Sequence, residues 1–251
     1  MLELKAVSAG YEKEKIITDF SVKLKKGELV SIIGANGSGK TTLLKTVLGF
    51  IKPFSGEIMV DGISVSEAKR QQIAKKIAYL PQGKNVPDMT VEQMVLHGRF
   101  PHLSYPRRYS RKDYLIVKDA IEKMGLSGLE KKPLTSLSGG MRQKAYIAMC
   151  LTQDVDYIVL DEPTTYLDIA HSLELMGILK QLTREGKSII TVMHDLTLAF
   201  SFSDKILLLN DGKPALYDDT KTVAESDVVK NVFGVKVEFL PDKNCYCYNY
   251  S

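Results

Sequence analysis

Gly34-Ala-Asn-Gly-Ser-Gly-Lys40-Thr41 fits the pattern G-x-x-x-x-G-K-[ST], a spacing suited to binding phosphate. Its glycines let successive backbone N–H groups wrap an anion, and a helix starting at the loop adds the positive end of its dipole. In that setting Lys40 reaches the β- and γ-phosphates of a nucleotide, and the Thr41 hydroxyl ligates Mg²⁺. An ordinary glycine turn is the bland alternative, and the flanks argue against it. "LVSII" reads as a buried strand running in, and Leu44, Val47 and Leu48 form one face of a helix running out to Gly49.

Two further apolar runs end in groups that can act on a phosphate. "YIVLDEP" closes on Asp161 and Glu162, and "SIITVMHD" closes on His194. α/β proteins bind ligands outside the carboxyl ends of their strands, where these side chains are expected. Adjacent carboxylates point in different directions. Asp161 therefore suits the Mg²⁺ shell and Glu162 the polarising of an attacking water. In isolation the acidic pair reads as a solvated turn and the histidine as structural. Beside a phosphate loop both are assigned to the site, His194 as a contact to the γ-phosphate.

A second glycine pair comes later, in Leu137-Ser138-Gly139-Gly140, directly ahead of the helical pattern "GGMRQKAYIAMCL". Ser138 can be a plain N-cap followed by permissive glycines. Two glycines at a helix start are nevertheless poor helix formers that leave N–H groups exposed, which suits an anion. The first loop already takes its own nucleotide's phosphates. A second anion-binding helix end is best explained if it serves the nucleotide of another molecule.

The elements that must carry these groups follow from composition and periodicity. The chain has 251 residues, 44% apolar and 25% charged, with a net charge of +4. That is ordinary for a globular protein with a sizeable core. Residues 2–31 alternate as strands with a turn at Gly27, "SGEIMVDGISV" reads as a hairpin around Asp61-Gly62, and "KIAYLPQ" as a strand stopped by Pro81. From Gly83 to about Thr152 the pattern is helical with proline-rich breaks, and Tyr114, Val117, Ile121 and Met124 make an apolar stripe. Continuous apolar runs then return, the mark of a parallel sheet. The layout is an α/β core interrupted by a helical insert and closed by a short mixed tail.

The apolar stretches fall far short of the ~20 residues of a membrane span, and the N-terminal residues lack the apolar core of a signal peptide. The chain is therefore expected in the cytoplasm. Cys150, Cys245 and Cys247 give no disulfide framework, and the last two are expected as a reduced thiol pair near a frayed end rather than a metal site. Arg99, Arg107, Arg108, Arg111 and Lys112, interleaved with Phe100, Tyr105 and Tyr109, are expected to form a solvated basic face and not a nucleic-acid patch. His97, His102 and His171 are too scattered to suggest a metal site.

Taken in this order, Gly34–Thr42, "LSGG" at 137–140, "VLDEP" at 159–163, "YLD" at 166–168 and His194 resemble the ATPase subunit of ATP-binding cassette (ABC) transporters, over about residues 2–220. The resemblance implies a P-loop NTPase core with a RecA-like mixed sheet, an antiparallel β subdomain and an inserted helical subdomain. Residues 1–82 and 153–220 would form the nucleotide-binding core, 83–152 the helical insert with the signature loop, and 221–251 a tail. ATP and Mg²⁺ are the implied cofactors. ATP would be held by Tyr11, stacked on adenine, and by Gly34, Asn36, Gly37, Ser38, Gly39, Lys40, Thr41 and Thr42. Glu162, His194 and Lys40 would be catalytic, and Mg²⁺ would be held by Thr41, Gln82 and, through water, Asp161.

The resemblance also implies a homodimer paired head to tail. Ser138, Gly139 and Gly140 of each copy would close on the ATP of the other, with Asp168 crossing the seam. Integral-membrane permease subunits would be met through Gln82 and the helical insert, placing the chain on the inner face of the membrane. An extracytoplasmic substrate-binding protein would be engaged only indirectly. The family often has Gln after the two glycines. Here Met141 stands there, and a contact made by that side chain is the one put in question.

Two shorter matches, "HGRFPHL" and "PTTYLDIAH" at 163–171, look like the importer branch serving iron chelates, haem and cobalamin. They imply an ATP-hydrolysing subunit that powers uptake of one of these. The alternatives are a cassette of another ABC transporter, a soluble mechanochemical ABC ATPase, or a P-loop module that switches on nucleotide without turnover. Glu162 and His194 argue against the last.

Overall fold

The computed structural model describes residues 1–83, 85–243 and 245–250. β1 (Leu2–Tyr11) and β2 (Glu14–Leu24) pair antiparallel, whereas β3 (Leu29–Gly34) is buried along its whole length, as its unbroken apolar run requires. α1 (Lys40–Val47) follows the first glycine loop. β4 (Ser55–Val60) and β5 (Ile63–Ser64) form the expected hairpin, with Asp61 and Gly62 at φ of 48° and 80°, the left-handed pair that an Asp-Gly turn favours. These outer strands make an antiparallel sheet in the order β2-β1-β4-β5.

α2 (Arg70–Ala74) leads into β6 (Ile77–Leu80). The next elements are helical: α3 (Val91–Leu96), a 3-10 stretch (His97–His102), α4 (Arg111–Lys123) and α5 (Gly139–Thr152). Then come β7 (Tyr157–Asp161), α6 (Ile169–Arg184), β8 (Ser188–Val192), α7 (Leu196–Phe202), β9 (Lys205–Asn210) and β10 (Lys213–Asp219). The second sheet has the order β10-β9-β3-β8-β7-β6, parallel except for β10. A mixed sheet, an antiparallel sheet and a helical insert are thus the architecture.

Alternation along the parallel strands divides the interior. Val30 and Ile32, with Val159, Ile190 and Leu207, face α1 and the antiparallel sheet, whereas Leu29 and Ile33, with Leu160, Ile189 and Leu208, face the helices. The insert packs onto that second core through Val95, Val117, Ile121, Met124 and Ile147.

Two expectations change here. Tyr114 leaves the apolar stripe, 46% exposed and edge-on to Tyr109, while Asp113 and Ala120 are buried. Arg99 is no part of a solvated face. It is 7% exposed, its Nε donating to Asp113 Oδ1 at 2.8 Å and its Nη1 to the Thr152 carbonyl at 2.7 Å. Charge pattern alone could not reveal this, because one partner is an N-terminal residue of α4 and the other the last residue of α5.

The tail comprises α8 (Thr220–Glu225), α9 (Asp227–Phe233), β11 (Val235–Leu240) and β12 (Cys245–Tyr250). β12 pairs with β11, and Tyr246 packs against Phe200 of α7 at 5.6 Å between ring centres. The end expected to fray is therefore a packed hairpin, with Cys245 and Cys247 as free thiols within it. Among the described residues no helix is long and apolar enough to cross a membrane.

Candidate functional site

β3, β8 and β7 are neighbours in the parallel sheet. Their carboxyl ends bring the loop at Gly34–Gly39, His194 and the Asp161-Glu162 pair to one rim. Gly37 and Gly39 take φ of 81° and 97°, a region closed to most side chains. A Cβ on Gly34 would lie 2.5 Å from the Leu209 carbonyl oxygen. The loop curls round Lys40, whose ammonium donates to the carbonyls of Gly34 (2.8 Å) and Ala35 (2.9 Å). Burial lowers the Lys40 pKa, and Glu162 and Asp161 oppose that shift. Asn36 and Gly37 are exposed at the tip, and Ser38 Oγ is buried without a partner among the described residues. Thr41 and Thr42 lie in the first turn of α1.

Asp161 is 2% exposed. Burial raises its pKa and so does Glu162 beside it, while hydrogen bonds from Tyr79 and Thr41 oppose them. Its Oδ1 is buried without a partner among the described residues. Hard divalent cations take oxygen donors, and an unpaired carboxylate oxygen next to the Thr41 hydroxyl fits such an ion.

Glu162 is held at φ 52°, left-handed backbone that costs a non-glycine residue on the order of 1–3 kcal/mol and tends to mark functional positions. One carboxylate oxygen accepts from the Gln82 amide and from the Thr165 hydroxyl at 3.2 Å, and the other pairs with His194 Nε2. Gln82 and His194 both lie on Glu162, from the loops after β6 and β8 respectively. Neither Thr165 nor Tyr79 was singled out by sequence. Thr165 lies three residues beyond Glu162, but only the turn between them makes that spacing a hydrogen bond.

Tyr11, at the end of β1, is 47% exposed, and Lys45 Nζ lies 5.9 Å from its ring centre, a cation–π distance. The aromatic ring thus flanks α1.

At the second glycine pair, Ser138 caps α5, its hydroxyl accepting from the Met141 N–H at 3.3 Å. Ser138 and Gly139 are exposed, while Gly140 is buried. A Cβ on Gly140 would lie 2.6 Å from Cδ2 of the His171 ring. Gly140 is therefore small because an imidazole covers it, which separates it from its neighbours. Met141 is 43% exposed. Asp168 caps α6 by accepting the His171 N–H at 2.8 Å, and the His171 ring also meets its carboxylate. These contacts hold the Asp168 carboxyl below the usual carboxylate range. Close by, Tyr166 is 89% and Ile169 80% exposed, an apolar rim of a kind often seen at interfaces.

Comparisons with known proteins place the chain in a family. Residues 17–165 match the family model described as ABC transporter. The petrobactin import ATP-binding protein FpuD of Bacillus anthracis is 37% identical over 96% of this chain and 89% of its own length. The iron(3+)-hydroxamate import ATP-binding protein FhuC of Bacillus subtilis is 37% identical over 96% of this chain and 90% of its own. A metal-chelate type ABC transporter solved in an inward-facing conformation superimposes with a TM-score of 0.85 at 26% identity, covering 100% of this chain and 96% of that one. With a phosphate loop, a buried acidic strand end and a capped glycine pair in one fold, the chain belongs to the ABC transporter family and is one of its ATPase subunits.

Proposed function

We propose that this ATPase powers uptake of an iron chelate of the siderophore class through a separate membrane permease, with the chain peripheral on the membrane's inner face. The substrate class is supported by FpuD and FhuC, whose names state petrobactin and iron(3+)-hydroxamate import. ATP is held by the loop from Gly34 to Thr42, with Lys40 neutralising its phosphates and Tyr11 stacking on adenine. Thr41, Gln82 and, through water, Asp161 would hold Mg²⁺, which would supply charge neutralisation at the β- and γ-phosphates. Glu162 orients and polarises the attacking water, and His194 contacts the γ-phosphate. Ser138, Gly139 and Asp168 serve a second copy of the chain, paired head to tail.

The observation carrying this reading is the Glu162 carboxylate fixed from two flanking loops by Gln82 and His194. Gln82 thereby links the site to the helical insert. Where the 3-10 stretch of the insert meets α2 of the core, an open groove is rimmed by Phe100 and by Tyr105, which is 96% exposed; the permease docks there. In the Glu162→Gln protein ATP binding is kept while turnover falls roughly 10²–10⁴-fold, as expected when a general base is lost. Unchanged phosphate release would move the catalytic role elsewhere. A strain lacking the gene should lose uptake of labelled ferric siderophore. Normal ferric uptake with loss of sugar or amino-acid uptake would overturn the substrate class and leave the ATPase standing.

A further inference from the structure

His171 belongs to no function described so far, yet it touches both segments assigned to the second copy. Its Nδ1 lies 2.8 Å from both carboxylate oxygens of Asp168, and its backbone N–H donates to Oδ1 at the same distance. The ring also covers Gly140: a Cβ there would meet Cδ2, Cγ and Nε2 at 2.6, 3.0 and 3.3 Å. Backbone at this spot can approach the ring only because the residue is glycine. One turn further along both helices, Lys144 Nζ and Glu174 Oε1 pair at 2.6 Å. The starts of α5 and α6 are thus joined at two successive levels, the first of them built on His171. On the loop side, Gly139 lies near the Tyr166 carbonyl and the Leu167 side chain.

We propose that His171 is a positioning residue that locks the loop at Tyr166–Asp168 to the glycine pair at the start of α5, so that both meet a second copy of this chain as one rigid surface. The proposal rests on the head-to-tail reading above for its consequence, but not for the lock itself. Charge does not enter it: the neutral ring with Nδ1–H toward Asp168 makes both contacts. A histidine is suited because it combines a donor at Nδ1 with a flat face that fits against a glycine. Asn keeps a donor near the Nδ1 position but loses the ring, and Phe keeps the ring but loses the donor.

The test has two independent arms. In the monomer, amide hydrogen exchange is compared for the wild type and for His171→Ala, His171→Asn and His171→Phe. His171→Ala should speed exchange about tenfold across residues 138–142 as well as near its own position, a size typical of coupling between contacting residues. His171→Asn and His171→Phe should each recover part of the protection. Exchange at 138–142 that stays at the wild-type rate in His171→Ala overturns the lock, whatever the oligomeric state.

In the second arm the same changes are made in the Glu162→Gln protein, and ATP-driven self-association is followed by light scattering. Nucleotide affinity of the monomer should stay within about twofold while self-association weakens at least about tenfold. Equal self-association with and without His171 overturns the proposed consequence. Failure of the Glu162→Gln parent to associate overturns the head-to-tail reading instead, and the exchange arm still decides the lock. Gly140→Ala combined with His171→Ala should be no worse than His171→Ala alone, since removing the ring makes room for the methyl group; a fully additive loss also counts against it.

Discussion

At the residue scale, the groups of the first glycine loop were the most legible, because their geometry is local. Gly34 to Thr41 form one contiguous turn from the end of β3 into the start of α1, and such a turn announces its own shape through glycine spacing. Lys40 illustrates this. Its ammonium is buried against two loop carbonyls, and burial lowers its pKa while Asp161 and Glu162 oppose that shift. Lys40→Ala removes a charge and its hydrogen bonds, which for a charged partner is worth about 1.5–3 kcal/mol. Nucleotide affinity should fall at least roughly tenfold to a hundredfold, read by calorimetry; near-normal affinity would count against the phosphate assignment. The covering of Gly140 by His171 was not legible. It depends on how two helices pack, and the D-x-x-H spacing that caps α6 gave the only hint.

At the element scale, two carboxylates, Asp113 buried and Asp61 half-buried, tie parts of the fold together. Asp113, 7% exposed, accepts from Arg99 and from Ser110, fastening the 3-10 stretch to α4, while Arg99 also reaches the end of α5. Arg99→Met leaves a buried carboxylate without its charge partner, which costs about 3–5 kcal/mol. Denaturant unfolding should show that loss; an unchanged midpoint would mean the pair is dispensable. The basic run that contains Arg99 misled sequence reasoning, because charge patterns do not say which member of a run is buried.

Asp61, in the β4–β5 turn, pairs with Lys26 and the N-terminal amine and accepts from Tyr157 of β7 at 3.0 Å. It thereby joins the antiparallel sheet to the parallel one. Burial raises the pKa of Asp61, but hydrogen bonds from Lys26, the N-terminus and Tyr157 outweigh it and bring it to about 2. Asp113 reaches about 2 in the same way, through Ser110 and Arg99. Folded pKa values below the unfolded value of about 3.9 mean that the stabilisation is fully present above that value and is lost as pH falls toward 2. A shift of this size is worth about 2 kcal/mol per group. Melting temperatures of the wild type should therefore drop between about pH 4 and 2, and Asp61→Asn, less stable at neutral pH, should lose less over that window. An equally steep acid limb in the variant would place the proton uptake elsewhere.

At the scale of the whole molecule, continuous apolar runs on either side of a helical stretch were enough to expect a parallel core with a helical insert. The packed C-terminal hairpin was not, since alternating Cys and Tyr in "CYCYNY" give no hint that Tyr246 meets Phe200. One copy holds two glycine-rich helix starts: the first, at Lys40, adjoins Asp161 through Thr41, and the second borders the cleft beside Glu162 through Gly139. The second start leaves Ser138 and Gly139 exposed beside the exposed Tyr166 and Ile169. If it acts in trans, damage should complement across copies. In a mixed dimer, one protomer carries Lys40→Ala and the other Ser138→Arg. The intact phosphate loop of the second then faces the intact glycine pair of the first, so one composite site survives. Each variant alone forms only dimers in which both sites are damaged. The mixture should therefore close on ATP, by light scattering and by single-site nucleotide occlusion, where neither variant alone does. Mixed dimers that close no better than either variant alone would mean that each chain uses its own second loop.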